Sequence, residues 1–147
     1  VEYNSDGSLR GMLLESWEAN ADATEYVLKV RPGVTWNNGD PFTADDVVHN
    51  LNRWCDGNVE GNSMASRVGV LMDEATKLAR DGAITKVDDL TVKLVLSGPD
   101  IALIVGLADY PAAVVHQSYD NGDPTLAIGT GPYLPETNEV GVRQILV

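Results

Sequence analysis

Two stretches of the chain alternate apolar and polar residues with the period of a β-strand, and this pattern constrains the fold most strongly. In the segment Ala23–Val30, the apolar side chains of alternate residues fall on one face. The segments Ile84–Val87 and Leu90–Leu96 flank a turn at Asp88 and Asp89, and the second segment alternates in the same way. Because a period of two places one apolar face against a core, the sequence predicts a half-buried strand and a β-hairpin.

Other segments have the apolar spacing of helices. Thr43 precedes Asp45 and Asp46, so its hydroxyl can cap the N–H three residues on, while both carboxylates favour the positive end of the helix dipole. Apolar residues then repeat at helical spacing as far as Trp54. The predicted helices cover Thr43–Trp54, Val68–Leu78 and a short segment from Pro99 to about Leu107.

The remaining apolar segments are predicted as strands. Ala112–Val115 is expected to form one strand, and Tyr133–Leu134 is expected to pair with Val142–Val147. Strands and helices mixed in this order indicate the α+β class. We therefore expect one mainly antiparallel sheet with a hairpin and two or three packed helices, forming a single unit over residues 1–147.

Charge and cysteine content exclude several classes of protein. The chain has 147 residues with 22 acidic and 10 basic side chains, which gives a formal net charge of −12. Such a surface repels phosphate groups, which argues against nucleic acid and anionic membranes as partners. The single cysteine, Cys55, excludes an internal disulfide and a cysteine-based zinc site, and we interpret it as a small hydrophobic residue. No apolar stretch is long enough to span a bilayer.

No group of residues has the spacing of a catalytic or metal site. His49 and His116 lie far apart in the sequence, with no nucleophile or orienting acid indicated beside either of them. We interpret both as core or surface histidines, and Asp45 with Asp46 as carboxylates of a helix start. The sequence therefore predicts a protein that is not an enzyme and that has no catalytic residues, metal or cofactor.

Three further motifs favour a structural role over ligand binding. Residues 120–123 lack the continuation of an EF-hand calcium loop, so they predict a polar turn. The run Gly129–Gly131 is followed by Pro132, which has no N–H, and by residues typical of a strand, so it is not a phosphate cradle. The tryptophans have apolar neighbours and are predicted to lie in the core: Trp17, Trp36 and Trp54.

Five short sequence blocks follow one another along nearly the whole chain, and their order is part of the pattern. They are Leu14–Glu18, Tyr26–Val34, Trp36–Val47, Val87–Leu94 and Gly129–Tyr133. The third block, which reads WNNGDPFTADDV, is the most specific of them. Together these blocks resemble the family 5 extracellular solute-binding proteins, the peptide-binding subunits of ABC importers.

The resemblance implies a location, a partner and a domain organisation. Members of that family are exported, fold as two lobes that close over a peptide, and deliver it to ABC permease subunits. The resemblance thus implies a periplasmic or extracellular protein that is membrane-associated through the transporter. It also implies that residues 1–147 are mainly the small subdomain of the first lobe, cut from a longer protein with a periplasmic-binding-protein-like II fold.

The resemblance also places one ligand-facing loop after the helix that begins at Thr43. When that loop is matched to Asn62–Ser66, Ser63 and Met64 occupy the ligand-facing position, where some relatives have an aromatic residue. The alternative is that Met64 is the first apolar residue leading into the next helix. Both interpretations stay open at this point.

The sequence leaves the cargo open because family members bind peptides, nickel complexes, haem or oligosaccharides. Peptide is the leading prediction, and this subdomain alone is expected to bind it weakly or not at all. Outside that class, the alternatives are an enzyme on the same fold or a plain interaction module. Surface exposed by severing the subdomain predicts self-association, through strand edges near Val142–Val147.

Overall fold

Eight strands and two α-helices make up the described part of the chain, which comprises residues 1–119 and 128–147 of the computed structural model. The strands form one four-stranded and two two-stranded sheets, and every pairing is antiparallel. This confirms the α+β class. In chain order the elements are β1 (Glu2–Tyr3), β2 (Leu9–Arg10), β3 (Leu14–Ala19), β4 (Glu25–Val30), α1 (Ala44–Trp54), β5 (Ile84–Asp88), β6 (Thr91–Val95), α2 (Leu103–Gly106), β7 (Pro135–Glu139) and β8 (Arg143–Leu146).

The four-stranded sheet has the order β3-β4-β6-β5 and contains both elements predicted from alternation. Tyr26 on β4 lies opposite Leu94 on β6, and Leu28 lies opposite Val92. All four of these side chains are buried. The predicted strand and the predicted hairpin are therefore confirmed, with the turn lying one residue later than expected, between Asp88 and Thr91.

Helix α1 begins where the sequence predicts because its first turn forms a reciprocal capping box. The Thr43 hydroxyl accepts hydrogen bonds from backbone N–H groups of the first turn, and the Thr43 N–H donates to Asp46 Oδ2 at 2.8 Å. Leu51 and Trp54 lie on the buried face of the helix. The helix ends at Trp54, and the N–H of the next residue, Cys55, donates to the carbonyl oxygens of Leu51 and Arg53.

The segment before α1 folds back through a tight turn and buries two aromatic rings. Gly39 has a φ of +93°, which a residue with a side chain rarely adopts. The rings of Trp36 and Phe42 pack with centroids 5.4 Å apart at an angle of 55°. Trp36 and Trp54 are buried as predicted, whereas Trp17 is only half-buried.

The helix predicted for Val68–Leu78 is wrong. Only Gly69–Leu71 forms a short 3₁₀ turn, and Lys77 lies in the left-handed region with a φ of +58°. Asp73 Oδ1 accepts the backbone N–H groups two and three residues later, at 3.0 and 2.8 Å. Because this carboxylate gives the backbone a local partner in place of the helical one, the chain turns despite its apolar spacing.

The strand predicted for Ala112–Val115 is also wrong, because a side chain takes the place of a neighbouring strand. Asn50 on α1 accepts the Val115 N–H at 2.9 Å and donates to the Val115 carbonyl oxygen at 2.8 Å. The backbone there is thus paired without entering a sheet. The short third helix is present as α2, but it ends at Gly106 and begins only at Leu103.

The strand pair near the end of the chain is confirmed with shifted limits. Leu134 and Val147 exchange two backbone hydrogen bonds, of 2.7 and 2.9 Å, and the pairing continues between β7 and β8. The first strand extends over Pro135–Glu139, which is polar and gives no apolar alternation. Strands β1, β2 and β3 are likewise absent from the sequence predictions.

The Cys55 thiol will react slowly with Ellman's reagent in the native protein at pH 8. The residue is fully buried, and burial raises the pKa of the thiol to about 11, so about one thiol in a thousand is ionised at that pH. The colour change measured with and without denaturant checks this. Equal rates in both conditions would contradict the burial of Cys55.

Candidate functional site

Asn62 closes the loop that follows helix α1. Its side-chain amide donates to the carbonyl oxygens of Arg53, Trp54 and Asp56, at 3.4, 3.1 and 2.8 Å. Its side-chain oxygen accepts the N–H of Met64 at 3.1 Å. Because the last carbonyls of a helix lack partners within the helix, this one side chain both caps α1 and fixes the path of the loop.

A hollow of about 280 Å³ lies beside this loop and contains both sequence-predicted site residues. Ser63 is exposed, whereas the Met64 side chain is 1% exposed and belongs to the core. Met64 lies in the wall of the hollow, and this position is consistent with either role, contact with a ligand or packing in the core. The lining residues are Arg53, Trp54, Val59, Glu60, Gly61, Asn62, Ser63, Met64 and Pro111.

Arg53 supplies a positive charge to the wall of the hollow. One guanidinium nitrogen donates to the carbonyl oxygen of Ala113, while Nε is buried without a hydrogen-bond partner among the described residues. Burial lowers the pKa of Arg53, although the side chain remains charged at neutral pH. Sequence reasoning missed this residue. Its position as the basic residue of the last helical turn was the available signal.

Arg67 holds the other side of the loop. It donates from Nη1 to the Ser63 carbonyl oxygen at 2.8 Å and from Nε to Asp109 Oδ2 at 2.9 Å. Hydrogen bonds from Arg67 hold the pKa of Asp109 below its usual range. The backbone of Ser63 is therefore fixed from two directions, by Arg67 and by the Asn62 bond to the next residue.

His116 forms polar contacts that resemble a catalytic set but serve a local turn. Its Nδ1 lies 2.8 Å from Ser118 Oγ, and its Nε2 lies 3.3 Å from Asp40 Oδ2. However, Nδ1 also accepts the backbone N–H of Ser118 at 3.2 Å, so its lone pair is engaged within the turn. The ring packs edge-on against Trp36, with centroids 5.1 Å apart. We interpret this histidine as structural.

The remaining candidates from the sequence do not gather into a site. His49 is half-buried on α1, and its Nε2 has no hydrogen-bond partner in the described segments. The Gly129 carbonyl oxygen accepts the backbone N–H of Asn37 at 2.8 Å. Within residues 1–119 and 128–147, no three His, Cys, Asp or Glu side chains are grouped as metal ligands. The turn predicted at 120–123 lies outside the described residues.

The lining of the hollow is mixed in its chemistry. It offers apolar contacts, one guanidinium, one carboxylate, one side-chain amide and one hydroxyl, which suit recognition of a small polar molecule or a short peptide segment. Among solved structures, the binding protein AgaA from A. tumefaciens R10, in complex with agropinic acid, is 27% identical with a TM-score of 0.79, covering 95% of this chain and 27% of that one. The murein tripeptide binding protein MppA from Escherichia coli shares the fold, with a TM-score of 0.81 at 22% identity over 99% of this chain and 31% of that one.

The family follows from the sequence match. Residues 8–147 match the family described as bacterial extracellular solute-binding proteins, family 5 middle, and the chain belongs to that family. This confirms the resemblance seen in the sequence blocks.

Curated relatives are named as peptide-binding proteins. Di/tripeptide-binding protein 4 from Pseudomonas aeruginosa is 30% identical over 83% of this chain and 26% of its own length. The dipeptide-binding protein from Escherichia coli K12 is 30% identical over 82% of this chain and 25% of its own length. The chain thus spans about a quarter of the length of these relatives. They are solute-binding proteins, which supports a binding role at the level of the family.

In the segments that the structure describes, no helix is both long enough and apolar enough to cross a bilayer.

Proposed function

We propose that this chain is part of a substrate-binding subunit that captures peptides for an ABC importer. The observation that carries the proposal is the match to two peptide-binding relatives at 30% identity over more than four-fifths of the chain. The proposed location is the periplasm or the extracellular side of the membrane, and the proposed partners are the permease subunits. Residues 1–147 are then one subdomain of a two-lobed protein.

In this proposal the chain acts mainly as scaffold, and Ser63 and Met64 face the ligand. The hollow supports that role because Asn62 and Arg67 hold the loop in place before any ligand arrives. The lining carries one positive side chain, Arg53, and one negative side chain, Glu60, so it offers a partner to either charged end of a peptide. Lobe closure acts through contacts made only in the closed state, and one subdomain supplies few of them.

A second cargo is favoured by a specific observation. AgaA, which was solved with agropinic acid, matches 95% of this chain with a TM-score of 0.79. Agropinic acid therefore belongs beside peptides in any binding test.

The 147-residue chain will bind dialanine and trialanine too weakly to give a calorimetric signal at micromolar concentration. The physical reason is that, in this proposal, the chain is one subdomain of a two-lobed protein and supplies only part of the contacts that enclose a ligand. Isothermal titration calorimetry measures this, with agropinic acid titrated in parallel. A micromolar dissociation constant for either peptide would overturn the scaffold role.

Methyl NMR tests the two site residues in the same titration at millimolar peptide. The chain has three methionines, so Met12 and Met72, which do not line the hollow, serve as internal controls. We expect the Met64 methyl signal to shift with trialanine, and Ser63→Ala to reduce that shift, while the control signals stay in place. A Met64 signal that never moves, or three signals that move alike, would refute the ligand-facing assignment.

A further inference from the structure

The tetrapeptide Asn-Gly-Asp-Pro occurs twice in the sequence, at residues 38–41 and 121–124. An asparagine followed by glycine loses its amide faster than other asparagines, because glycine has no side chain to keep its backbone nitrogen away from the neighbouring carboxamide. The first copy lies in the described part of the chain, and the second lies outside it. The reactivity of Asn38 therefore depends on the turn that carries it.

The backbone nitrogen of Gly39 is the nucleophile in such a reaction, and the turn holds it. Its N–H donates to the Trp36 carbonyl oxygen at 2.9 Å, while the Trp36 N–H donates to the Asp40 carbonyl oxygen at 2.8 Å. An amide nitrogen must lose its proton before it can attack. In the closed turn, the deprotonated nitrogen would face the lone pairs of a carbonyl oxygen, so the turn opposes the first step.

The Asn38 carboxamide is held as well. Its Oδ1 accepts the Asp40 N–H at 3.0 Å, and its Nδ2 donates to Asp40 Oδ2 at 2.6 Å. The Nε2 atom of His116 lies 3.3 Å from the same carboxylate oxygen. Ring closure makes the carboxamide carbon tetrahedral and moves both of its polar atoms. The reaction therefore has to break the two hydrogen bonds to Asp40.

Opening of this turn disturbs the core. Trp36 begins the turn and is 2% exposed, and its ring packs against Phe42 with centroids 5.4 Å apart. Opening thus costs free energy, and the fraction of chains with an open turn is small. Since the protecting contacts lie within the turn and beneath it, a further part of the protein that covered this surface would only add to the protection.

We propose that Asn38 is a site of spontaneous deamidation that the folded turn protects, so that it reacts only in chains whose turn has opened. The Gly39 nitrogen loses its proton to hydroxide and forms a bond to Cγ of Asn38. The bond from Cγ to Nδ2 breaks, and the amide leaves as ammonia with a proton from water. Water then opens the succinimide ring at either carbonyl, which leaves aspartate or isoaspartate at position 38. Both products lack the amide donor to Asp40, so the original turn does not re-form completely.

The rate of deamidation at mildly alkaline pH tests this, in buffer and in guanidinium chloride above the unfolding midpoint. Because Asn121 is followed by the same three residues, we expect Asn38 and Asn121 to react at similar rates in the denaturant. In buffer, Asn38 is expected to react about tenfold more slowly than in the denaturant, or slower still. Circular dichroism confirms the folded state in buffer.

Peptide mass spectrometry locates the reaction. Trypsin releases residues 30–53 as one peptide, since Arg31 is followed by proline. Three further asparagines in that peptide precede residues with side chains, and they serve as unreactive internal controls: Asn37, Asn50 and Asn52. Equal rates at Asn38 in buffer and in denaturant overturn the proposal. So does an Asn38 that reacts no faster in denaturant than these controls.

Asp40→Ala removes the carboxylate that holds the Asn38 amide and keeps the Asn-Gly pair. We expect its rate in buffer, relative to its own rate in denaturant, to rise about threefold or more above the wild-type ratio. The matched control is Asp81→Ala, which removes an exposed carboxylate from the turn before β5 and leaves the wild-type ratio unchanged. A folded Asp40→Ala variant with the wild-type ratio would refute the protecting role of Asp40, and equal increases in both variants would refute it too.

Discussion

Replacing Asn50 by leucine will lower the free energy of unfolding by about 3 kcal/mol. The Asn50 amide donates to the carbonyl oxygens of Asp46 and Val115, at 2.9 and 2.8 Å, and its oxygen accepts the Val115 N–H at 2.9 Å. Asn50 is only 1% exposed, so water cannot replace it. Leucine has a similar shape but no polar atoms, and it leaves the half-buried Val115 backbone groups without their partners in the protein.

Urea unfolding followed by tryptophan fluorescence measures the change, as a lower midpoint with an unchanged slope. The matched control is Asn52→Leu, which makes the same substitution on the exposed face of the same helix. We expect that control to change stability by no more than about 0.5 kcal/mol. Equal losses for the two variants would show that helix preference, and not the Val115 contact, sets the effect.

Replacing Gly11 by alanine will destabilise the fold by about 3 kcal/mol, because the added methyl has no space. A Cβ built at Gly11 would lie 2.5 Å from the carbonyl oxygens of both Leu14 and Glu15. The segment cannot move aside easily, since Arg31 donates from Nη2 to the Gly11 carbonyl oxygen at 3.2 Å and from Nε to that of Met12 at 2.6 Å. The clash therefore falls on backbone atoms that are held in place.

The free energies of unfolding of Gly11→Ala and of the control Gly69→Ala are measured by thermal and urea unfolding. Their difference separates the clash at Gly11 from the general effect of replacing glycine. A Cβ at Gly69 would meet no atom within 4 Å, and its φ lies outside the left-handed region. The control variant should stay within about 0.5 kcal/mol of wild type. If Gly11→Ala matched the control, the close approach to Leu14 and Glu15 would be refuted.

The elements that the sequence predicted well are those whose stabilising contacts are local or periodic. Alternation over Ala23–Val30 was sufficient to find β4, since one face of that strand is buried in the core. The start of α1 depends on Thr43 and Asp46, which are three residues apart and form a capping box that is recognisable in the sequence. In both cases the determining pattern lies within a few residues of the element that it forms.

The failures come from single polar side chains that redirect the backbone. Asp73 ends a helical pattern by accepting two N–H groups nearby. Asn50 removes Val115 from any sheet, although 65 positions separate the two residues in the sequence. The spacing of apolar residues indicates which side chains are buried, but it carries no information about these hydrogen bonds. It therefore could not predict the turn at Asp73 or the absence of a strand at Val115.

The candidate site was predictable only through the family resemblance. Ser63 and Met64 have no motif of their own, and the loop that carries them is shaped by the amide of Asn62 and the guanidinium of Arg67. Arg53 enters the hollow because α1 ends there. Each of these contacts depends on how the helix, the loop and the segment near Asp109 meet in space.

The closure of the loop by Asn62 has a consequence for how binding specificity can diversify. The amide that joins the two ends of the loop belongs to a residue at its base, while Val59 and Glu60 at the tip are exposed. Their side chains can be exchanged without loss of the hydrogen bonds that set the loop's shape, although the φ of +78° at Gly61 strongly favours glycine there. Recognition can thus evolve at the rim of the hollow while the supporting framework is preserved.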